Sequence, residues 1–134
     1  YNAGLNLGLA FQIVDDALDV MDDSEVTGKD GGNDFFEGKV TLPFLHLLET
    51  ADGAERAHLV ELAKSPTSDG WAYVKRKIRD AKGVEYSLGV AMDYNRRLLE
   101  AMDAFPSSAF KEIILELSKF LVERKNRVEY DDDT

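Results

Sequence analysis

Apolar residues return every three or four positions along nearly the whole chain, and that spacing packs helices on helices rather than strands into a sheet. Trp71, Val74 and Ile78 stand at i, i+3 and i+7, the one-face pattern of a 3.6-residue period. Tyr86, Val90, Tyr94, Leu98 and Met102 follow at steps of four. Phe110, Ile113, Ile114, Leu117, Phe120 and Leu121 make a wide apolar stripe on a last helix. No segment alternates convincingly in the manner of a half-buried strand. The breaks are short: Gly53, the loop 65–70, the neighbourhood of Gly83, and Pro106-Ser107-Ser108. The expected fold is an all-α helical bundle in a single domain over 1–134, with helices over 42–50, 55–64, 71–83, 84–105 and 109–127. Asp69 is the expected cap of the third of these, and Pro43 is acceptable near the start of the first.

The first helix is different in kind. Tyr1, Leu5, Gly8, Phe11 and Val14 give it an apolar face with no N-cap residue before them, but its far end is acidic. Between Phe11 and Asp34 stand Asp15, Asp16, Asp19, Asp22, Asp23, Glu25, Asp30 and Asp34, against one base, Lys29. The carboxylates crowd a helix C-terminus, where the backbone dipole is already negative, and like charges three and four positions apart repel. A cation from outside offsets that repulsion. Asp15 and Asp19 at i, i+4, and Asp16 and Asp19 at i, i+3, share a face, with Gln12 one turn earlier. Oxygen donors of this kind suit Mg²⁺, which typically takes one or two carboxylates, several waters and substrate phosphates. Lys29 and Lys39, beside Gly28 and Gly38, add compact cations for phosphate oxygens and a backbone that a ligand can approach closely.

A calcium loop is the competing metal reading. Asp23, Glu25, Thr27, Gly28 and Asp34 approximate positions 1, 3, 5, 6 and 12 of a twelve-residue helix–loop–helix site. Asp30 stands where such a loop is usually apolar, and Asp34 where a bidentate Glu is usual.

The longer pattern resembles a known family. GLAFQIVDDALD at 8–19, GK at 28–29 and EGKVTLP at 37–43 are similar to the second aspartate-rich motif and lysine loop of the trans-type polyprenyl diphosphate synthases. The likeness is strong over 1–50 and continues in helical pattern to a closing LVERKNR at 121–127. It implies the carboxy-terminal part of an isoprenoid-synthase-type fold, in which two aspartate-rich helices face a deep cavity. It also implies a Mg²⁺-dependent prenyltransferase, in which an allylic diphosphate ionises and isopentenyl diphosphate attacks the cation. Carried over by position, Asp15, Asp16 and Asp19 bind Mg²⁺, Gln12 supports them, Lys29 and Lys39 contact diphosphate oxygens, and Asp34 acts through water in the outer metal shell. Asn33 departs from the pattern, since many relatives carry a second Asp there. Class I terpene cyclases share the metal logic, but EGKVTLP fits the elongating enzymes better.

The first aspartate-rich motif of such enzymes is absent from these residues. The expectation is therefore a carboxy-terminal fragment, inactive alone in chain elongation, or a non-catalytic subunit that needs a partner. Helix faces left without their usual neighbours favour association, so a homo-oligomer is expected. A net charge of −10 argues against nucleic acid or an anionic membrane surface as a partner. Zero cysteines exclude disulfides and thiolate metal sites, which fits a cytoplasmic protein. No apolar run approaches the roughly 20 residues of a membrane span, so no stable membrane insertion is expected. His46 and His58 read as structural or exposed, the basic run Lys75, Arg76, Lys77 and Arg79 as a solvated face, and Tyr86 and Tyr94 as core. Arg124, Lys125 and Arg127 fall in a terminus that frays by default, although relatives often end in basic residues near the diphosphate.

Overall fold

The computed structural model describes residues 2–21 and 31–133, and these form seven helices and no strand. They are α1 (Asn2–Met21), α2 (Asn33–Phe36), α3 (Leu42–Thr50), α4 (Gly53–Lys64), α5 (Ser68–Asp80), α6 (Gly83–Asp103) and α7 (Ala109–Asp133). Among these residues no helix is long and apolar enough to cross a membrane. The chain divides into two compact units, Tyr1–Asp15 with Leu88–Thr134, and Asp16–Ser87.

In the second of these units α3 and α4 both pack on α5. The starts of α3, α4 and α5 have local causes. Thr41 is extended before α3, and Pro43 sits in the first turn, where its missing N–H costs nothing. The Asp52 carboxylate accepts from the Glu55 N–H at 2.8 Å, a side-chain N-cap of the usual kind. Thr67, not Asp69, caps α5: Thr67 is extended and its Oγ1 accepts from the Gly70 N–H at 2.9 Å. Asp69 lies inside the first turn, where its charge complements the dipole instead. Lys82, rather than Gly83, takes the left-handed conformation (φ 57°) between α5 and α6. The core gathers Phe35, Phe44, Leu47, Leu59, Trp71, Val74 and Ile78. His46 donates from Nε2 to the Ala81 carbonyl at 3.2 Å and stacks on Tyr86 at 4.1 Å. Tyr86 is exposed rather than core.

The other unit centres on Leu7, Leu98, Met102 and Ile114, with Phe11 and Leu115 against them. Here the Ser118 hydroxyl donates to Asn95 Oδ1 at 2.6 Å. Both residues are buried, and the bond between α6 and α7 satisfies groups that would otherwise be costly to desolvate. Leu98 is fully buried, so Leu98→Ala is expected to destabilise by about 2–5 kcal/mol. Urea unfolding followed by circular dichroism checks this. The apolar stripe on α7 is wider than its buried part. Ile114 and Leu121 are inside, whereas Phe110, Ile113, Leu117 and Phe120 are exposed. Helical backbone continues to Asp133, past the expected end near residue 127.

Candidate functional site

The buried positions on α1 are Leu7, Ala10, Val14, Ala17 and Val20, at steps of three, four, three and three. That stripe fixes the helix and turns its polar residues away from the core: Gln12 and Asp15 are exposed, and Asp16 and Asp19 half-buried. Four candidate residues on one helix thus take their orientation from a spacing that the sequence prints.

Asp15 meets Arg124 of α7, with Oδ1 2.7 Å from Nη2. The Arg124 guanidinium also lies 6.0 Å over the Phe120 ring, and Phe120 tilts against Phe11 at 6.2 Å. Phe11 and Asp15 are four apart on one helix, Phe120 and Arg124 four apart on the other, so each helix offers a ring and then a charge. Both charged groups are partly solvated, which limits the pair to at most about 1 kcal/mol. Arg124 thus stands on helical backbone and meets α1, rather than in a frayed terminus. The matching four-residue steps were the only sequence signal of this contact, and they mean nothing until α1 and α7 are known to be neighbours.

Asp19 has different partners. Its Oδ1 accepts from the Asn33 backbone N–H at 3.1 Å and its Oδ2 from the Asp34 N–H at 3.2 Å, while its carbonyl accepts from the Gly32 N–H at 3.1 Å. Because the backbone donates, the contact does not depend on whether position 33 is Asn or Asp. Beyond this turn, the Asp34 carboxylate lies 4.0 Å from Lys39 Nζ and that of Glu37 at 3.0 Å. The hydrogen bond to Glu37, then the charges of Glu37 and Asp34, hold the exposed Lys39 ammonium above its ordinary pKa, with a smaller contribution from the charge of Asp16. Lys39 is accordingly a full cation at neutral pH. Lys29 lies outside the described residues, as do Asp22, Asp23, Glu25, Asp30, Thr27 and Gly28, which carry most of the calcium-loop reading.

Among the described residues, no group of three or more His, Asp or Glu side chains is arranged to hold a metal ion by itself. A closed cage is not what Mg²⁺ requires. One or two carboxylates suffice when water and substrate phosphate complete its shell, and the donors on α1 are all hard oxygens. The donor set fits an ion shared with an anionic substrate. Neither histidine competes for such a role, since His46 is stacked on Tyr86 and His58 meets the Tyr73 ring edge-on at 5.1 Å.

The polyprenyl synthetase family profile matches residues 1–78. A short chain isoprenyl diphosphate synthase from Methanothermobacter thermautotrophicus is 34% identical over 123 residues, covering 92% of this chain and 38% of the relative. Among solved structures, a polyprenyl synthase from Caulobacter crescentus, complexed with calcium and isoprenyl diphosphate, is 37% identical with a TM-score of 0.73. A decaprenyl diphosphate synthase from Rhodobacter capsulatus is 30% identical with a TM-score of 0.78. Each alignment covers 92% of this chain and 38% of the solved one, so the chain spans well under half the length of the relatives it matches.

Proposed function

This chain belongs to the polyprenyl synthetase family, and from that membership we propose that it forms the metal-facing, carboxy-terminal part of a Mg²⁺-dependent prenyltransferase. The substrates are an allylic diphosphate and isopentenyl diphosphate. The observation that carries the reading is the joining of an acidic helix end to a turn that bears Asp34 and Lys39. Acids to hold an ion and a cation to meet phosphate suit a bridged diphosphate better than an ordinary solvated surface.

Asp15 and Asp16 supply the carboxylates toward the ion, Asp19 adds only the lone pairs that its two backbone bonds leave, and Asp34 acts through water. Gln12 supports them, and Lys29 and Lys39 meet diphosphate oxygens. A bound Mg²⁺ supplies Lewis-acid charge to a departing diphosphate. Lys39, fully charged at neutral pH, neutralises part of the same anion. Arg124 compensates the Asp15 charge when no ion does. The Caulobacter crescentus relative is complexed with calcium and isoprenyl diphosphate, which supports a divalent ion and a diphosphate as ligands.

Calorimetry tests this directly. Mg²⁺ and pyrophosphate should each strengthen the other's binding by about five-fold or more, the ordinary scale of coupling between sites. Tight Ca²⁺ binding that ignores pyrophosphate would favour the calcium loop and overturn the proposal. The same reading places the protein in the cytoplasm as a homo-oligomer. Phe110, Ile113, Leu117 and Phe120 stand exposed along one stretch of α7, and exposed apolar surface of this kind favours association. Light scattering should give a mass above the 15.0 kDa of one chain; a monodisperse 15.0 kDa species would remove the oligomer.

A further inference from the structure

We propose that Asp19 is a positioning residue: its carboxylate holds the turn from Gly32 to Lys39 against α1 and so sets where Asp34 and Lys39 stand. The functional half of this inference rests on the diphosphate reading above, but the structural half does not.

The turn has little else to organise its start. α2 is four residues long, far below the length at which a helix sustains itself in water. Its N-cap residue is Gly32, in the left-handed region and without a side chain to offer the first N–H groups. Those groups still need acceptors. Asp19, fourteen and fifteen positions earlier in the chain, provides them: one carboxylate oxygen takes the Asn33 N–H and the other takes the Asp34 N–H. Carboxylates are among the best N-cap acceptors, and charge-assisted bonds are the stronger kind. The Gly32 N–H on the Asp19 carbonyl makes three successive amides bonded to one residue.

The connection continues to the lysine. The Lys39 N–H bonds to the Asp34 carbonyl at 2.8 Å and the Gly38 N–H to the Phe35 carbonyl at 3.1 Å. Lys39 is thus one backbone bond from a residue whose own N–H rests on Asp19. Packing secures the other side, where buried Phe35 lies 5.3 Å from Trp71. Asp15 differs, because its partner is the movable side chain of Arg124. A carboxylate with both oxygens engaged by backbone is suited first to fixing a loop. Any lone pairs that remain are secondary.

Two measurements on the full chain test this. Amide hydrogen exchange is followed by NMR in the unaltered protein, in Asp19→Asn and in Asp16→Asn. Asp19→Asn keeps the shape but turns a donor toward an amide N–H. Exchange at Asn33 and Asp34 should quicken about ten-fold or more, as expected for local opening. Val74 and Ile78 should keep their protection, as evidence of an intact core. Asp16→Asn should leave Asn33 and Asp34 unchanged. The second measurement is a double-variant cycle of Asp19→Asn with Lys39→Gln, read as Mg²⁺-dependent pyrophosphate affinity. If Asp19 acts through the turn, the double variant loses about as much as the worse single variant, since coupled residues are not additive. Unchanged exchange in Asp19→Asn, or fully additive losses in the cycle, would overturn the positioning role. If the unaltered chain binds no pyrophosphate with Mg²⁺, the proposed function fails, and the exchange data alone still decide whether Asp19 holds the turn.

Discussion

A chain carrying Asp15→Asn together with Asp16→Asn is expected to lose Mg²⁺-dependent pyrophosphate binding by roughly 100-fold or more, while its helical circular dichroism and melting temperature stay close to those of the unaltered protein. Even supporting residues around a bound metal cost 10- to 100-fold when removed, and these two changes remove the charge of proposed ligands. The asparagine amides keep shape and an oxygen donor but no charge, so the loss reports electrostatics rather than packing. Stability should barely move, for two opposing reasons. Arg124 loses its partner at Asp15, a partly solvated pair of at most about 1 kcal/mol. Asp16 and Asp19 repel three positions apart on α1, and relieving that returns a few tenths of a kcal/mol. Calorimetry beside thermal melting separates these terms. Pyrophosphate binding at its original strength would remove both aspartates from the metal site.

The parts of this fold that were legible in the sequence are those set by local spacing. The steps of three and four that define α5, α6 and α7 survive in the buried set Trp71, Val74, Ile78, Leu98, Met102, Ile114 and Leu121. The start of α5 turned on one backbone conformation. Thr67 and Asp69 are both good cap acceptors, and only the extended conformation of Thr67 decides between them. α2 was not legible, because its first N–H groups are satisfied by Asp19 rather than by a neighbour in sequence. The Asp15–Arg124 pair was hidden for the same reason: it joins residues 109 positions apart by number, and no short-range pattern records which helices adjoin. The exposed half of the α7 stripe shows the reverse error, since periodicity marks a face as apolar without saying what covers it. For the candidate site, the acids and Lys39 were readable as residue types, and the contacts that organise them were not.

An effect on stability as large as that of a core truncation is expected at a residue with no side chain. Gly32→Ala should lower the melting temperature by roughly 10 °C or more and loosen the turn that Asp19 holds. Gly32 has φ +80°, where an L-residue is strained by about 1–2 kcal/mol. A Cβ there would also lie 2.4 Å from Cε2 of Trp71, inside any permitted contact. Trp71 cannot easily retreat, being buried and packed 5.3 Å from Phe35. Forcing extra atoms into such a core costs typically about 1–3 kcal/mol. The two effects together come to roughly 2–5 kcal/mol, a large share of the roughly 5–15 kcal/mol that keeps a domain folded. Gly38 provides the control, since its φ is +79° but nothing lies within 4 Å of an added Cβ. Gly38→Ala should therefore show the backbone strain alone, about 1–2 kcal/mol, and melt well above Gly32→Ala. Equal melting of the two variants would mean that the indole moves aside, and that close packing against Trp71 does not fix the turn. The expected gap between them, together with faster exchange at Asn33 and Asp34 in Gly32→Ala but not in Gly38→Ala, would tie the placement of the Lys39 turn to the ring beneath it as well as to the carboxylate beside it.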